Sequence, residues 1–170
     1  PKTIALSFWF QPTLLKRDGV IASLHSTDAT IEILNRGEYL EGRFGPSEFR
    51  LRGRPLERRR WYFLRLDLNL EARRLKVRVT TPESASPGRD LLQVGDDIKE
   101  LDLPDLTFNE ILFRLAAGVE GGRWDGRIAE PEIVVDGVSY FWSFEGDMES
   151  HSLPSASGDA ELALHQLPTR

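Results

Sequence analysis

PLERRRWYFLRLDLNLEARRLKVRV, residues 55–79, reads as two long antiparallel strands joined by a tight reversal. On the first strand Tyr62, Leu64, Leu66 and Leu68 fall on one face, with Trp61, Phe63, Arg65 and Asp67 on the other. On the second, Leu75, Val77 and Val79 alternate with Arg74, Lys76, Arg78 and Thr80. A period of two is the signature of a sheet with one buried and one wetted face. Residues 69–73 supply the polar break that a short hairpin loop needs. Strands of this length span a sheet, so each requires a further partner on its other side.

The flanks supply those partners. Residues 3–11 alternate Ile4, Leu6, Phe8 and Phe10 against Ala5, Ser7 and Trp9 until Pro12, which cannot donate to a ladder. Short strands are expected over 19–25, 30–35, 39–44 and 48–52, separated by Arg-Asp-Gly, Arg-Gly and Gly-Pro breaks. Beyond the hairpin, 81–89 is a loop rich in Pro, Ser and Gly, 91–94 a short strand, and 96–105 an acidic, irregular segment. Strands resume over 110–116, 124–135, 138–144 and 161–165, with 146–158 a polar surface crossing. No helical period extends past ten residues. Many short strands with Gly, Pro and Asp punctuation indicate an all-β, antiparallel β-sandwich.

A chain of 170 residues holds one domain with its own core, taken as residues 1–170. Because it opens at Pro1 directly into a strand, it reads as a piece of a longer protein. A net charge of −5 argues against general nucleic-acid binding. No apolar run approaches the ~20 residues of a membrane helix, so no membrane partner is expected. The absence of cysteine removes disulfides, thiol nucleophiles and zinc–thiolate sites, and it favours a reducing, cytoplasmic setting.

Signatures of common catalysts are missing: no GxSxG, HExxH, GxxxxGK or GxGxxG. His25, His151 and His165 stand apart from one another and read as ordinary loop or edge residues. Glu100 and Asp102 have the alternate-position spacing of paired glycosidase carboxylates. Pro104 and the lack of a third acid at motif spacing count against that, so no catalytic residue is assigned. Asp96, Asp97 and Asp102, with Glu100 and Asp105 nearby, form the candidate set for a structural Ca²⁺, which takes oxygen ligands from flexible loops.

Opposite charge gathers in Arg50, Arg52, Arg54, Arg58, Arg59 and Arg60. The plain reading is solubilising charge on strand faces; the functional one is an anion or acidic-partner patch, centred on Arg58 and Arg59. Arginine suits interfaces because its planar fork pairs with carboxylates. Trp9, Trp61 and Trp142 read as core, whereas Trp124, followed by Asp125 and Gly126, is the tryptophan placed to project from a loop toward a ligand.

Phe8-Trp9-Phe10-Gln11-Pro12-Thr13, Gly19-Val20-Ile21-Ala22-Ser23-Leu24, Arg60-Trp61-Tyr62 and Trp124-Asp125-Gly126-Arg127-Ile128-Ala129-Glu130 occur in this order. Together they resemble the laminin-G and concanavalin-A-like jelly roll. Pro55-Leu56, Arg59 to Tyr62, Gly126 to Ile133, Trp142-Ser143-Phe144 and the closing Leu167-Pro168-Thr169-Arg170 are similar to the lectin-like domain of the N,N-dimethylformamidase large-subunit family. The chain departs from that family in Trp142-Ser143-Phe144-Glu145 and in His165-Gln166 ahead of Leu167. The resemblance implies a non-catalytic accessory module of an amide hydrolase, partnered by its catalytic domain or subunits. The family's iron, held by tyrosines and a glutamate in a following domain, has no ligands here, so no cofactor is expected in this domain. Tyr39, Tyr62 and Tyr140 do not substitute for them. The alternative implied by the fold is a carbohydrate-binding, lectin-like module, with a glycosidase third.

Overall fold

The computed structural model describes residues 1–15, 18–26, 29–82, 93–106, 111–116, 124–142, 152–154 and 161–163, with 93–96 and the last two segments described by backbone alone. In chain order the strands are β1 (Thr3–Pro12), β2 (Gly19–His25), β3 (Thr30–Arg36), β4 (Tyr39–Phe44), β5 (Ser47–Arg50), β6 (Tyr62–Asn69) and β7 (Arg74–Pro82). They continue as β8 (Gln93–Asp102), β9 (Leu112–Leu115), β10 (Gly126–Val135), β11 (Val138–Phe141), β12 (Ser152–Pro154) and β13 (Glu161–Ala163). One sheet runs β11-β10-β1-β6-β7-β8 and the other β5-β4-β3-β2-β9; β12 and β13 pair with each other. Every ladder is antiparallel. This is the expected all-β sandwich.

The hairpin β6–β7 forms because alternation puts Leu64, Leu66 and Leu68 opposite Val79, Val77 and Leu75 on one face. All six are at most 1% exposed. Each such side chain contributes about 1.5–3 kcal/mol of burial. The four-residue reversal is fixed by Asn69, whose Oδ1 accepts from Ala72 N at 2.8 Å, and by Arg73 at φ 53°. Ile4, Leu6, Phe8 and Phe10 extend this inner face on β1, and Ile21, Leu24, Ile31, Ile33 and Leu40 meet it from the second sheet. The middle strand β1 is covered on both faces, since Ser7, Trp9 and Gln11 are buried too. Trp9 packs there against Phe63, ring centres 5.2 Å apart.

Three expectations are corrected. Residues 96–102 are not irregular but belong to β8, because their alternate residues pair along β7, Lys76 with Glu100 and Arg74 with Asp102. The segment read as a crossing contains β12, paired through Leu153 and Leu162; the remainder of 146–158 lies outside the described residues. The strand expected over 138–144 ends at Phe141, with 143–144 likewise outside them.

Candidate functional site

At the end of the sandwich where β1 finishes, three segments meet. Pro12 stops the ladder, and the amides of Thr13 and Leu14 then donate to the Asp125 carbonyl at 3.0 and 3.4 Å. That contact lays the exit of β1 against the entry of β10, where Gln11 stands opposite Arg127. From the other side comes the connection between β5 and β6. Its turn, Glu57 to Arg60, closes with Arg60 N donating to Glu57 O at 3.4 Å. Arg59, the third residue of that turn, adopts φ 60°. This is the left-handed region, where such turns favour glycine. Both backbone groups of Arg59 are tied down: its amide donates to Pro12 O at 2.8 Å, and its carbonyl accepts from Gln11 Nε2 at 2.9 Å. Arg58 Nε donates to Thr13 O at 2.9 Å.

The result is a cleft of about 450 Å³ lined by Gln11, Thr13, Leu14, Arg58, Arg59 and Arg127. The connection is braced from within. Leu56 is 3% exposed and its amide donates to Glu38 O at 2.6 Å. Glu57 N donates to Tyr62 Oη at 2.8 Å. Arg52 lies buried beneath, donating to Arg54 O at 2.8 Å and to Pro55 O, with its guanidinium 5.1 Å from the centre of the Tyr62 ring.

The arginines grouped together in sequence are dispersed by the fold. Arg50 faces Glu41 at 3.8 Å and lies over the Tyr39 ring, while Arg60 pairs with Glu57 at 2.7 Å. Arg58 and Arg59 do reach one site, joined by Arg127. None of these three has a carboxylate partner among the described residues. Like charges gathered in a concave site focus a positive field and attract anions. Sequence reasoning missed Arg127. Its alternation with Ile128 marks it as pointing away from the core, but its place beside Gln11 follows only from the β1–β10 register.

Other candidates are placed elsewhere. Trp124 does not project toward a ligand: it is 7% exposed, packed edge-on to Phe10 at 6.2 Å and folded over Gly126. Asp125 is exposed and serves the site through its carbonyl. The proposed Ca²⁺ ligands are not brought together. Asp97 and Asp102 are five strand residues apart, roughly 17 Å, and have basic neighbours instead. Asp97 Oδ2 lies 3.6 Å from Arg52 Nε, and Asp102 lies 3.8 Å from Arg74. For Asp96 the backbone alone is described, paired with Thr80. Glu100 pairs with Lys76 at 3.0 Å, which holds its carboxyl below the usual range. Glu100 and Asp102 therefore sit on an exposed strand with cationic partners rather than facing each other across a cleft. Among the described residues no group of three acidic, His or Cys side chains is arranged to hold a metal. His25 is held by hydroxyls, Nε2 2.9 Å from Ser23 Oγ and Nδ1 3.1 Å from Thr30 Oγ1. His151 and His165 lie outside the described residues.

No family model and no curated protein matches this chain. Solved structures do. A Bacteroides ovatus protein provisionally described as carbohydrate-binding superposes with a TM-score of 0.64 at 15% identity, over 96% of this chain and 56% of its own. The LG1-3 region of the laminin alpha2 chain gives 0.58 at 13% identity, covering 86% and 30% respectively. Tailspike protein 2 of the Escherichia coli O157:H7 bacteriophage CAB120 gives 0.54 at 8% identity, covering 79% and 20%. The chain thus spans little more than half of the first and a smaller share of the others. At these identities the likeness is one of fold: a laminin-G-like β-sandwich.

Proposed function

We propose that this β-sandwich is a non-catalytic carbohydrate-binding module whose ligand enters the cleft between Gln11, Thr13 and the three arginines. The observation that carries the reading is the lining itself. A primary amide, a hydroxyl and three guanidinium groups converge there with donors to spare. That surface suits a ligand dense in oxygen acceptors, which carbohydrate is. Its arginines are not absorbed by internal ion pairs, in contrast to Arg36, Arg43, Arg60, Arg65 and Arg73. The carbohydrate-binding description of the Bacteroides ovatus relative in fold supports the same reading. Fold alone does not fix ligand, so the site must carry the argument. A glycan array followed by calorimetry tests it: binding at sub-millimolar affinity is expected, and Arg58→Ala, Arg59→Gly and Arg127→Ala should each weaken it. Absence of binding to every glycan would refute the module's assignment.

A second reading is favoured by the same uncompensated arginines. In it the cleft docks a carboxylate-bearing segment of a neighbouring domain, as an accessory module of a dimethylformamidase-like amide hydrolase would. That reading rests on the motif resemblance and on the bidentate fit of arginine to carboxylate. Co-purification with an amide hydrolase, abolished by the same three substitutions while the array stays blank, would select it over the first.

A further inference from the structure

We infer that the cleft reads one acidic sugar residue, a carboxylate together with a hydroxyl beside it, rather than a run of charges along a polyanion. The inference rests on the carbohydrate-binding reading and names the class of sugar. Beyond the cleft most of the described cations are spent on internal partners, although Arg54 and Lys99 have no ion pair among the described residues. Arg36 is held by Asp18 and Glu48, Arg43 by Glu32, Arg60 by Glu57, Arg65 by Asp67, Arg73 by Asp105 and Lys76 by Glu100. The chain as a whole carries −5. A polysulfated chain crossing those pairs would meet compensated charge, and among the described residues the uncompensated arginines that share one site are those of the cleft.

Inside it the donors and acceptors are unequal in a useful way. Arg59 and Arg127 have no side-chain partner among the described residues, and Arg58 spends only its Nε, on Thr13 O. Planar forks of this kind pair bidentately with a carboxylate. Gln11 is 9% exposed and uses its Nε2 on Arg59 O, while its Oε1 has no partner among the described residues. A ligand hydroxyl is the complement of that unused acceptor among cations. Leu14, 45% exposed, adds an apolar wall suited to the C–H face of a pyranose ring.

Arg59 is the residue on which recognition turns. Its φ of 60° occupies a position that glycine would fill without strain, and the conformation is held by Pro12 O and by Gln11. A strained backbone bearing an unpaired cation into a cleft is the expected form of a functional residue.

The experiment uses calorimetry on the protein and on Arg59→Gly, with Arg127→Ala as a second variant on a different strand. The probes are glucuronate, galacturonate and N-acetylneuraminate as methyl glycosides, each sugar's neutral counterpart, a heparin tetrasaccharide and inorganic sulfate. At least one sugar acid should bind while its neutral counterpart does not. Arg59→Gly should lose roughly ten- to hundredfold in affinity with a thermal midpoint unchanged or raised. Tighter binding of the heparin fragment, with steep salt dependence, would overturn the single-acid inference and leave the carbohydrate reading standing. Equal binding of acid and neutral sugars would overturn it also. Sulfate binding as tightly as the sugar acid would remove the hydroxyl from the recognition and sink the inference. If no sugar on the wider array binds, the functional reading fails first and this one with it.

Discussion

Arg52 Nε lies 3.6 Å from Asp97 Oδ2, with the Arg52 side chain 4% exposed and that of Asp97 31% exposed. The contact is Coulombic, since Arg52 Nε is buried without a hydrogen-bond partner. Its two hydrogen bonds to Arg54 O and Pro55 O strap the connection that presents Arg58 and Arg59. Replacing Arg52 by Met keeps the apolar stem and deletes the strap. Asp97 is partly solvated, so the loss falls below that of a fully buried pair, about 2–3 kcal/mol. Urea denaturation should report it, and a thermal midpoint lower by roughly 4–12 °C should accompany it. A change within error would show that the strap is idle.

Asp136 closes the β10–β11 hairpin and also holds the chain's first residues. It and Gly137 have φ 47° and 86°, the pair of positive values a two-residue hairpin loop requires. Its Oδ1 accepts from Thr3 N at 2.8 Å and Lys2 N at 2.7 Å, which holds the carboxyl below its ordinary range. A depressed folded value means stability present above the unfolded pKa and lost as pH falls through the folded one. Asp136→Asn keeps an acceptor and tolerates the left-handed backbone, so it should cost less than Asp136→Ala. The acid limb of the unfolding curve should flatten in both variants. Equal midpoints for Asn and Ala would argue against the carboxamide substituting for the carboxylate.

His25 predicts an effect in a higher pH range. Burial first, then the charge of Arg114, lowers its pKa from 6.5, with Glu32 opposing. Ser23 and Thr30 hydroxyls hold its two ring nitrogens. With the folded pKa below the unfolded one, the unfolded chain binds more protons between them. Stability should therefore fall as pH drops below about 6.5 and level off once the folded ring also protonates. Urea midpoints between pH 5 and 8, beside a ring-proton titration by NMR, would check it. A titration midpoint above 6.5 would reverse the sign.

Gly126→Ala tests the placement of Trp124. A Cβ built on Gly126 would stand 2.1 Å from the indole Cη2. The indole is 7% exposed against Phe10 and has little room to retreat. Overpacking of this kind costs about 1–3 kcal/mol, and displacement of the ring should shift its emission to the red. Unchanged emission and stability would mean that Trp124 lies away from Gly126.

How far the chain could be read depends on which residues one considers. Alternation points Tyr62, Leu64, Leu66, Leu68, Leu75, Val77 and Val79 inward, and each is at most 1% exposed. Residues 96–102 carry an acidic, nearly alternation-free composition that resembles a loop. The ladder to β7, from Thr80 opposite Asp96 to Arg74 opposite Asp102, makes a strand of them. Around Trp124 the flanking Gly and Asp signal a loop, whereas Gly126 provides the space into which the indole folds back.

Period-two alternation is a local property, imposed on each residue by backbone sterics, and so the sandwich and its inner rows could be written from the chain alone. The cleft is of another kind. Arg50, Arg52, Arg58, Arg59 and Arg60 are the same side chain within eleven positions, and they differ in what the fold sets beside them, a turn neighbour for Arg60 and residues of other strands for Arg50 and Arg52. Glu41, Asp97 and Glu57 neutralise Arg50, Arg52 and Arg60. Arg58 and Arg59 are instead left with Gln11 and with Arg127, which the β1–β10 register delivers from far along the chain. Charge compensation acts over a few ångströms of space, which sequence neighbours such as Glu57 and Arg60 share in a turn but which for Arg50, Arg52 and Arg127 only the folded chain sets.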